Sequence, residues 1–168
     1  MPEQRHLRRL SSTWQKQPIY FVTTCVAGRR PLLATPDIHE ILQDEWSGLC
    51  KRHGWAVGRY VVMPDHVHFF VTPMPCEGTP LYQVVGKWKE WTAKRIMKAV
   101  GGAAPLWQPE FFDHLLRSKE SLADKWTYVR EILSGPGWFP RLMTGHTRVR
   151  WISHKTCAAI SRSCSRTR

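Results

Sequence analysis

Hydrophobic positions follow two different periods along the chain, and the shorter period predicts four strands. Three segments rich in β-branched and aromatic side chains, residues 19–26, 55–63 and 66–72, have the length and composition of strands. The segment Phe111–Arg117 is predicted as a fourth strand at an edge of the sheet. A short Pro64-Asp65 connection joins the second and third strands, which indicates an antiparallel hairpin.

The longer period predicts helices between these strands. Residues 36–54 repeat apolar side chains with helical spacing after a Thr35-Pro36 start signal, and residues 81–100 repeat them again. A last helix is predicted from Ser118 to Ser134. The order β-α-β-β-α-β with a terminal helix favours an α+β, ferredoxin-like antiparallel sheet with helices on one face.

Two histidines open the third strand. Residues two apart on a strand point to the same face, so His66 and His68 lie side by side while Val67 and Phe69 pack beneath the sheet. Two imidazoles on a rigid element can supply two ligands of a metal site. The alternative is a pair of histidines on the polar face of a half-buried strand.

The amino-acid composition indicates what kind of partner the protein binds. The formal net charge is +12, which favours a polyanionic partner. The candidate phosphate contacts lie near the N-terminus and on the polar face of the second helix, although a frayed terminus and a merely solvated face explain them equally well. These candidates are Arg5, Arg8, Arg9, Lys87, Lys89, Lys94, Arg95 and Lys98.

The cysteine positions and the hydropathy of the chain exclude further classes of protein. The five cysteines are scattered and form no Cys-x-x-Cys pair, so neither a disulfide framework nor a zinc ribbon is indicated. No apolar run of about 18 residues and no signal peptide is present, so we expect a cytoplasmic protein without a membrane partner. Nothing in the sequence indicates a small-molecule substrate.

Taken together, Val61-Val62-Met63-Pro64-Asp65-His66-Val67-His68 and a tyrosine on a later helix resemble the HUH nucleases. The chain is most similar to the REP-associated tyrosine transposases, which are single-tyrosine transposases of bacterial insertion sequences. Tyr20-Phe21-Val22-Thr23 resembles their first strand, the segment from Trp107 to Arg117 resembles the approach to their catalytic helix, and Tyr128-Val129 resembles their tyrosine motif.

The resemblance implies an activity and a set of roles. His66 and His68 would hold a divalent ion, Mg²⁺ or Mn²⁺, and Tyr128 would attack the DNA backbone to give a 5′-phosphotyrosine. The implied substrate is single-stranded or hairpin DNA, and the family includes monomers and homodimers. His114 would be a substrate contact or a support for the metal ligands, or simply a core or surface histidine.

The chain departs from the family pattern after Glu131. Family members carry an asparagine four residues after the tyrosine, where it completes the metal site, but Ile132 stands at this position and has no ligand atom. Glu131 is the one nearby carboxylate that could substitute. All 13 Asp and Glu residues lie at or before Glu131, so residues 132–168 form a purely basic tail.

A change of reading frame accounts for this departure. One base inserted before codon 132 allows residues 132–139 to be read as Asn-Pro-Val-Arg-Ala-Gly-Leu-Val, which is the family motif. The step from Trp138 to Phe139 forces the valine whatever codons are used. We therefore expect a transposase domain over residues 1–131, truncated at its tyrosine helix, and an out-of-frame, poorly ordered tail over residues 132–168.

Three functions remain open at this point. The chain is a transposase that nicks and rejoins single-stranded or hairpin DNA; or it is an inactive relic that still binds DNA hairpins; or it is a small basic protein whose histidines have a structural role. The missing third ligand leaves enzymatic activity undecided.

Overall fold

A computed structural model of the chain describes residues 18–74, 79–102, 105–116, 124, 127 and 149–151. Among these residues, no helix is both long and apolar enough to cross a membrane.

The strands form one antiparallel sheet. Its five strands lie in the order β4-β1-β3-β2-β5, and the hairpin of β2 and β3 occupies the centre. The first four strands have the order expected of a ferredoxin-like sheet, so the predicted α+β fold is confirmed. The strands are β1 (Tyr20–Cys25), β2 (Trp55–Val62), β3 (His66–Pro73), β4 (Phe112–Leu115) and β5 (Val149–Trp151).

Two helices cover one face of this sheet, and their ends follow local sequence signals. α1 (Pro36–His53) begins after Thr35, whose side chain accepts a hydrogen bond from the Ile38 amide, and ends at Gly54 in the left-handed conformation. α2 (Leu81–Val100) coincides with the predicted helix. Both helices turn apolar stripes toward the sheet, which explains why their periodicity was a sound predictor.

Aromatic rings fill the space between the helices and the sheet. Trp46 of α1 and Trp88 of α2 stack in nearly parallel planes, with ring centroids 5.3 Å apart and 7° between planes. Phe69 of β3 packs against both rings, and Trp107 extends the cluster beyond Trp88. This aromatic cluster joins α1, α2 and the central strand in a single core.

Ion pairs fasten α2 to its surroundings. Arg95 contacts both Asp44 and Glu45 of α1, with 2.7 Å between Arg95 Nη1 and Glu45 Oε1. Lys89 Nζ donates to the Gln108 and Pro109 carbonyl oxygens, at 2.5 Å and 2.8 Å. These two cations of the predicted phosphate-binding face thus have intramolecular partners.

The predicted elements at the end of the chain fare differently. β4 covers Phe112–Leu115 of the predicted strand Phe111–Arg117; Phe111 lies in the core just before the ladder, and Arg117 lies outside the described residues. The helix predicted from Ser118 lies outside the described residues, apart from helical backbone at Asp124 and Thr127. Three residues of the predicted basic tail, Val149–Trp151, form the edge strand β5 on β2.

The aromatic cluster generates a stability prediction with an internal control. Trp88 is 1% exposed, whereas Trp91, on the same helix, is 50% exposed and contacts Lys94 through its ring. Trp88→Ala should lower the free energy of unfolding by about 3–5 kcal/mol because it removes a buried indole. Trp91→Ala should change it by less than about 1 kcal/mol.

Urea denaturation followed by circular dichroism measures both values. Similar losses for the two variants would show that the stacked indoles contribute no more stability than a surface tryptophan.

Candidate functional site

The turn before His66 is held from outside the hairpin. The segment that follows β1 donates two backbone hydrogen bonds to it: Val26 N to the Asp65 carbonyl and Leu33 N to the Pro64 carbonyl, both at 2.8 Å. The carbonyl groups of this half-buried turn are therefore satisfied by protein rather than by water. As a result, the start of β3 has a fixed position relative to β1.

Strand alternation sets the direction of the two histidines, as predicted. Val67 and Phe69 are 0% and 1% exposed and belong to the core beneath the helices. His66 and His68 consequently project from the opposite face of the sheet, with ring centroids 4.8 Å apart and planes nearly perpendicular. We call this surface, which carries Thr23, Cys25, His66 and His68, the histidine face.

The register of β1 supplies neighbours for both imidazoles. Thr23 pairs with His68 and Cys25 pairs with His66, and directly opposed residues in antiparallel strands share a face. Sequence reasoning missed Thr23 because strand pairing, not spacing along the chain, brings it to the site.

Each imidazole is held through its Nδ1 atom. His66 Nδ1 lies 2.6 Å from Asp65 Oδ1, and because a carboxylate only accepts, Nδ1 carries the proton. His68 Nδ1 lies 2.8 Å from Thr23 Oγ1. A neutral His68 that keeps its proton on Nδ1 donates to this hydroxyl. The Nε2 atom of His68 then presents a lone pair, and that of His66 does so in the neutral form of the ring; such outer partners orient metal-binding histidines in proteins.

His68 lies in a largely apolar environment. Its ring stacks on Phe21, with centroids 5.2 Å apart and 17° between planes. Burial first, and then the positive charges of His66 and Arg29, together lower the pKa of His68 to about 4. The imidazole is therefore neutral near pH 7, which is the form that binds a cation.

A third ligand does not come from the described part of the chain. In that part, no group of three or more His, Cys, Asp or Glu side chains is arranged to hold a metal ion. Tyr128, Glu131 and Ile132, on which the predictions about the nucleophile and the third ligand depend, lie outside the described residues. The roles of Tyr128 as nucleophile and of Glu131 as a substitute ligand therefore stay predictions.

His114 occupies the outer strand of the same face. It pairs with Phe21, so β1 separates it from β3, and two strand spacings put its backbone roughly 10 Å from that of β3. Whether His114 supports the metal ligands or contacts the substrate stays a prediction.

Arg29 is a second residue that sequence reasoning missed. Its Nε atom lies 2.9 Å from Asp65 Oδ2, and Asp65 uses its other oxygen for His66. One carboxylate therefore joins a guanidinium to a candidate ligand. The aspartate next to His66 was a visible signal in the sequence, but its arginine partner was not, since the two residues are far apart along the chain.

The predicted phosphate contacts are separated from the histidine face. α2 packs on the opposite face of the sheet, so its five basic candidates do not border the two histidines. Lys87 and Lys94 both pair with Glu90, at 3.4 Å and 2.8 Å, in exposed contacts of little strength. Nothing described tests these contacts with DNA, and Arg5, Arg8 and Arg9 lie outside the described residues.

Comparisons with known proteins agree with this geometry. A family model described as "Transposase IS200 like" matches residues 14–130. No curated protein matches the chain.

Two solved structures share the fold. A REP-associated tyrosine transposase bound to a REP hairpin has a TM-score of 0.53 and 19% identity, over 79% of this chain and 76% of that one. A protein from Deinococcus radiodurans R1, described as a candidate transposase, has a TM-score of 0.52 and 18% identity, over 74% of this chain and 97% of that one.

The Nδ1 contacts predict a measurable effect on ion binding. Thr23→Val keeps the shape of the side chain but removes the partner of His68 Nδ1, so the dissociation constant for Mn²⁺ should rise by about 10-fold or more. Electron paramagnetic resonance of free Mn²⁺ in a protein titration measures this constant.

Thr72→Val is the matched control. Thr72 lies on β3 with the histidines, but its hydroxyl donates to the Pro18 carbonyl at the far end of the strand. Thr72→Val should therefore bind Mn²⁺ as the wild type does, whereas Thr23→Val should bind it more weakly. Equal Mn²⁺ constants for the wild type and Thr23→Val would show that Thr23 does not orient a ligand.

Proposed function

The chain belongs to the IS200-like transposase family, whose model matches residues 14–130, and from this membership we propose that it acts on single-stranded or hairpin DNA by a nick-and-rejoin reaction. The observation that carries the proposal is the pair of imidazoles on one sheet face, each held through Nδ1. The hairpin of the REP-associated relative supports a hairpin substrate for this chain too.

In this proposal, His66 and His68 hold a divalent ion through their Nε2 atoms. Imidazole ligands favour Mn²⁺ in vitro, and Mg²⁺ serves in the cell because of its abundance. When bound, the ion supplies polarisation of the scissile phosphodiester. The neutral state of His68 and the T-shaped arrangement of the two rings fit this role.

Tyr128 is the proposed nucleophile. Its Oη atom attacks phosphorus in line, loses its proton, and forms a phosphotyrosine with the 5′ end of the downstream strand. The bond from phosphorus to the 3′ oxygen of the upstream nucleotide breaks, and that oxygen leaves as a 3′-hydroxyl. Because the covalent link keeps the phosphodiester bond energy, the strand can be rejoined without ATP.

A second candidate function is an inactive protein that still binds DNA hairpins. Ile132 favours it, because it stands where the family has a metal-binding amide and its side chain has no ligand atom. Glu131 is the nearest carboxylate that could substitute, but three residues after Tyr128 gives a different direction on a helix from four. Residues 1–131 would then retain recognition, while cutting is lost.

DNA recognition in either case rests on cations and aromatic rings. Lys98 and the pairs around Glu90 give α2 an exposed basic surface, and Tyr82 and Trp91 on the same helix are 52% and 50% exposed. Cations hold the phosphate backbone, and exposed rings stack on unpaired bases. Because α2 lies opposite the histidine face, we assign it to a part of the DNA away from the scissile bond.

The proposal predicts a preference among DNA shapes. The chain should bind a hairpin with a single-stranded end more tightly than a plain duplex of equal length, and affinity should fall steeply with salt. Gel shifts with labelled DNA across a salt series measure both properties. Equal affinity for random duplex, or binding that ignores salt, would contradict the proposed substrate.

The missing ligand predicts that the 168-residue chain cuts poorly or not at all. Inserting one base before codon 132 restores the family asparagine, so the frame-restored protein should cleave hairpin DNA in Mn²⁺ at a rate at least about 100-fold higher. Equal cleavage by the two proteins would overturn the inactivation argument, and Glu131 would become the ligand to test.

The frame-restored protein also tests the nucleophile and the ligands. Tyr128→Phe should abolish the adduct between protein and the DNA 5′ end while leaving hairpin affinity unchanged, since only the attacking oxygen is lost. His66→Ala or His68→Ala should abolish cutting and the response to Mn²⁺ together. An adduct that persists in Tyr128→Phe would assign the nucleophile to another residue.

A further inference from the structure

Arg29 has a backbone conformation that its side chain does not favour. It follows Gly28 in a short 3-10 turn after β1, and both residues have positive φ angles, 55° for Arg29 and 65° for Gly28. Glycine adopts this left-handed region freely, whereas a residue with a Cβ atom seldom does. Such outliers persist where the surrounding contacts hold them, and they are concentrated at functional sites.

Two contacts hold the guanidinium group of Arg29 in place. Nε lies 2.9 Å from Asp65 Oδ2, and Nη1 donates to Cys25 Sγ at 2.8 Å. Cys25 pairs with His66 across the strands, and Asp65 contacts His66 Nδ1. The guanidinium is therefore fixed beside the histidine face by two neighbours of His66.

The same side chain stays half exposed. Its relative exposure is 52%, and the two contacts use one N–H of Nε and one of Nη1 out of five N–H donors. A guanidinium that is held by two of its donors and keeps others unused can bind a phosphate group, which accepts two parallel hydrogen bonds.

Arg30, the next residue, shows the contrast. Its Nε and Nη2 atoms donate to the backbone carbonyls of Ala27 and Pro105, at 3.1 Å and 2.7 Å. These contacts tie Arg30 to the loop rather than to Asp65 or the histidines. Two adjacent arginines of equal charge therefore have different surroundings, which makes one a control for the other.

We propose that Arg29 binds a backbone phosphate of the DNA strand at the histidine face, with Asp65 and Cys25 positioning its guanidinium. The inference rests on the proposed function, because it requires DNA to lie on this face. It adds a binding residue from the loop after β1 to the two histidines of β3. The competing explanation is that Arg29 serves only as a partner that neutralises Asp65.

The slope of DNA affinity against salt separates these explanations. The logarithm of the DNA association constant falls with the logarithm of the salt concentration. For single-stranded DNA, each lost phosphate contact makes this slope shallower by about 0.7. Arg29→Gln in the 168-residue chain should show this change with a labelled oligonucleotide carrying a hairpin and a single-stranded end. Arg29→Lys should retain the wild-type slope, because an ammonium still binds phosphate as a point charge.

Arg30→Gln is the matched control, since it removes one charge from the same loop without touching Asp65. Its slope should equal that of the wild type. Arg29→Gly guards against a folding defect, because glycine suits the left-handed backbone at this position, and it should lose the same slope as Arg29→Gln. Urea denaturation of each variant identifies any that does not fold.

The outcomes are distinguishable. A wild type that fails to bind the oligonucleotide contradicts the proposed function itself. Wild-type binding with an unchanged slope in Arg29→Gly contradicts the inference alone and leaves Arg29 as a structural partner of Asp65. An equal loss of slope in Arg30→Gln also overturns it, because the effect then reflects net charge rather than contact.

Discussion

The pairing register between β1 and β3 is the constraint on which the site depends. It places Thr23 opposite His68, where its hydroxyl meets His68 Nδ1, and it brings the loop after β1 to the turn at Asp65. A slip of one residue would turn every side chain of one strand to the other face. Val22 and Phe69, both almost fully buried beneath the helices, prevent that slip.

Some of the basic side chains of this protein contact groups of their own chain. A formal charge of +12 indicates a polyanionic partner, yet Lys89 and Arg95 are engaged with carbonyl and carboxylate groups of their own chain. Long basic side chains on one helix face thus serve partly to fasten that helix. Arg29 differs because its partner Asp65 also contacts His66, a candidate metal ligand. The position of Arg29 is therefore tied to the histidine face and not to the packing of a helix.

The sequence predicted those parts of the structure that depend on local pattern. Periodicity located α1, α2 and the central hairpin within a residue or two, and alternation along β3 gave the face of His66 and His68. It did not reveal the partners of their Nδ1 atoms. Thr23 reaches His68 through strand register, and Arg29 reaches Asp65 through a left-handed turn, and both are tertiary effects without a local signature.

In the proposed function, metal binding and cutting would draw on separable parts of the chain. The orientation of both imidazoles comes from residues that all precede position 74, namely Thr23, Asp65 and the strands β1 and β3. The proposed nucleophile and third ligand come from a later segment, around Tyr128 and position 132. A change of reading frame after Glu131 would therefore remove the proposed third ligand without altering the sequence of the histidines or of the loop after β1. A loss of the third ligand at this position would leave the two histidines in place but would prevent strand breakage. The inactive protein that still binds DNA hairpins is for that reason an alternative with a structural basis of its own.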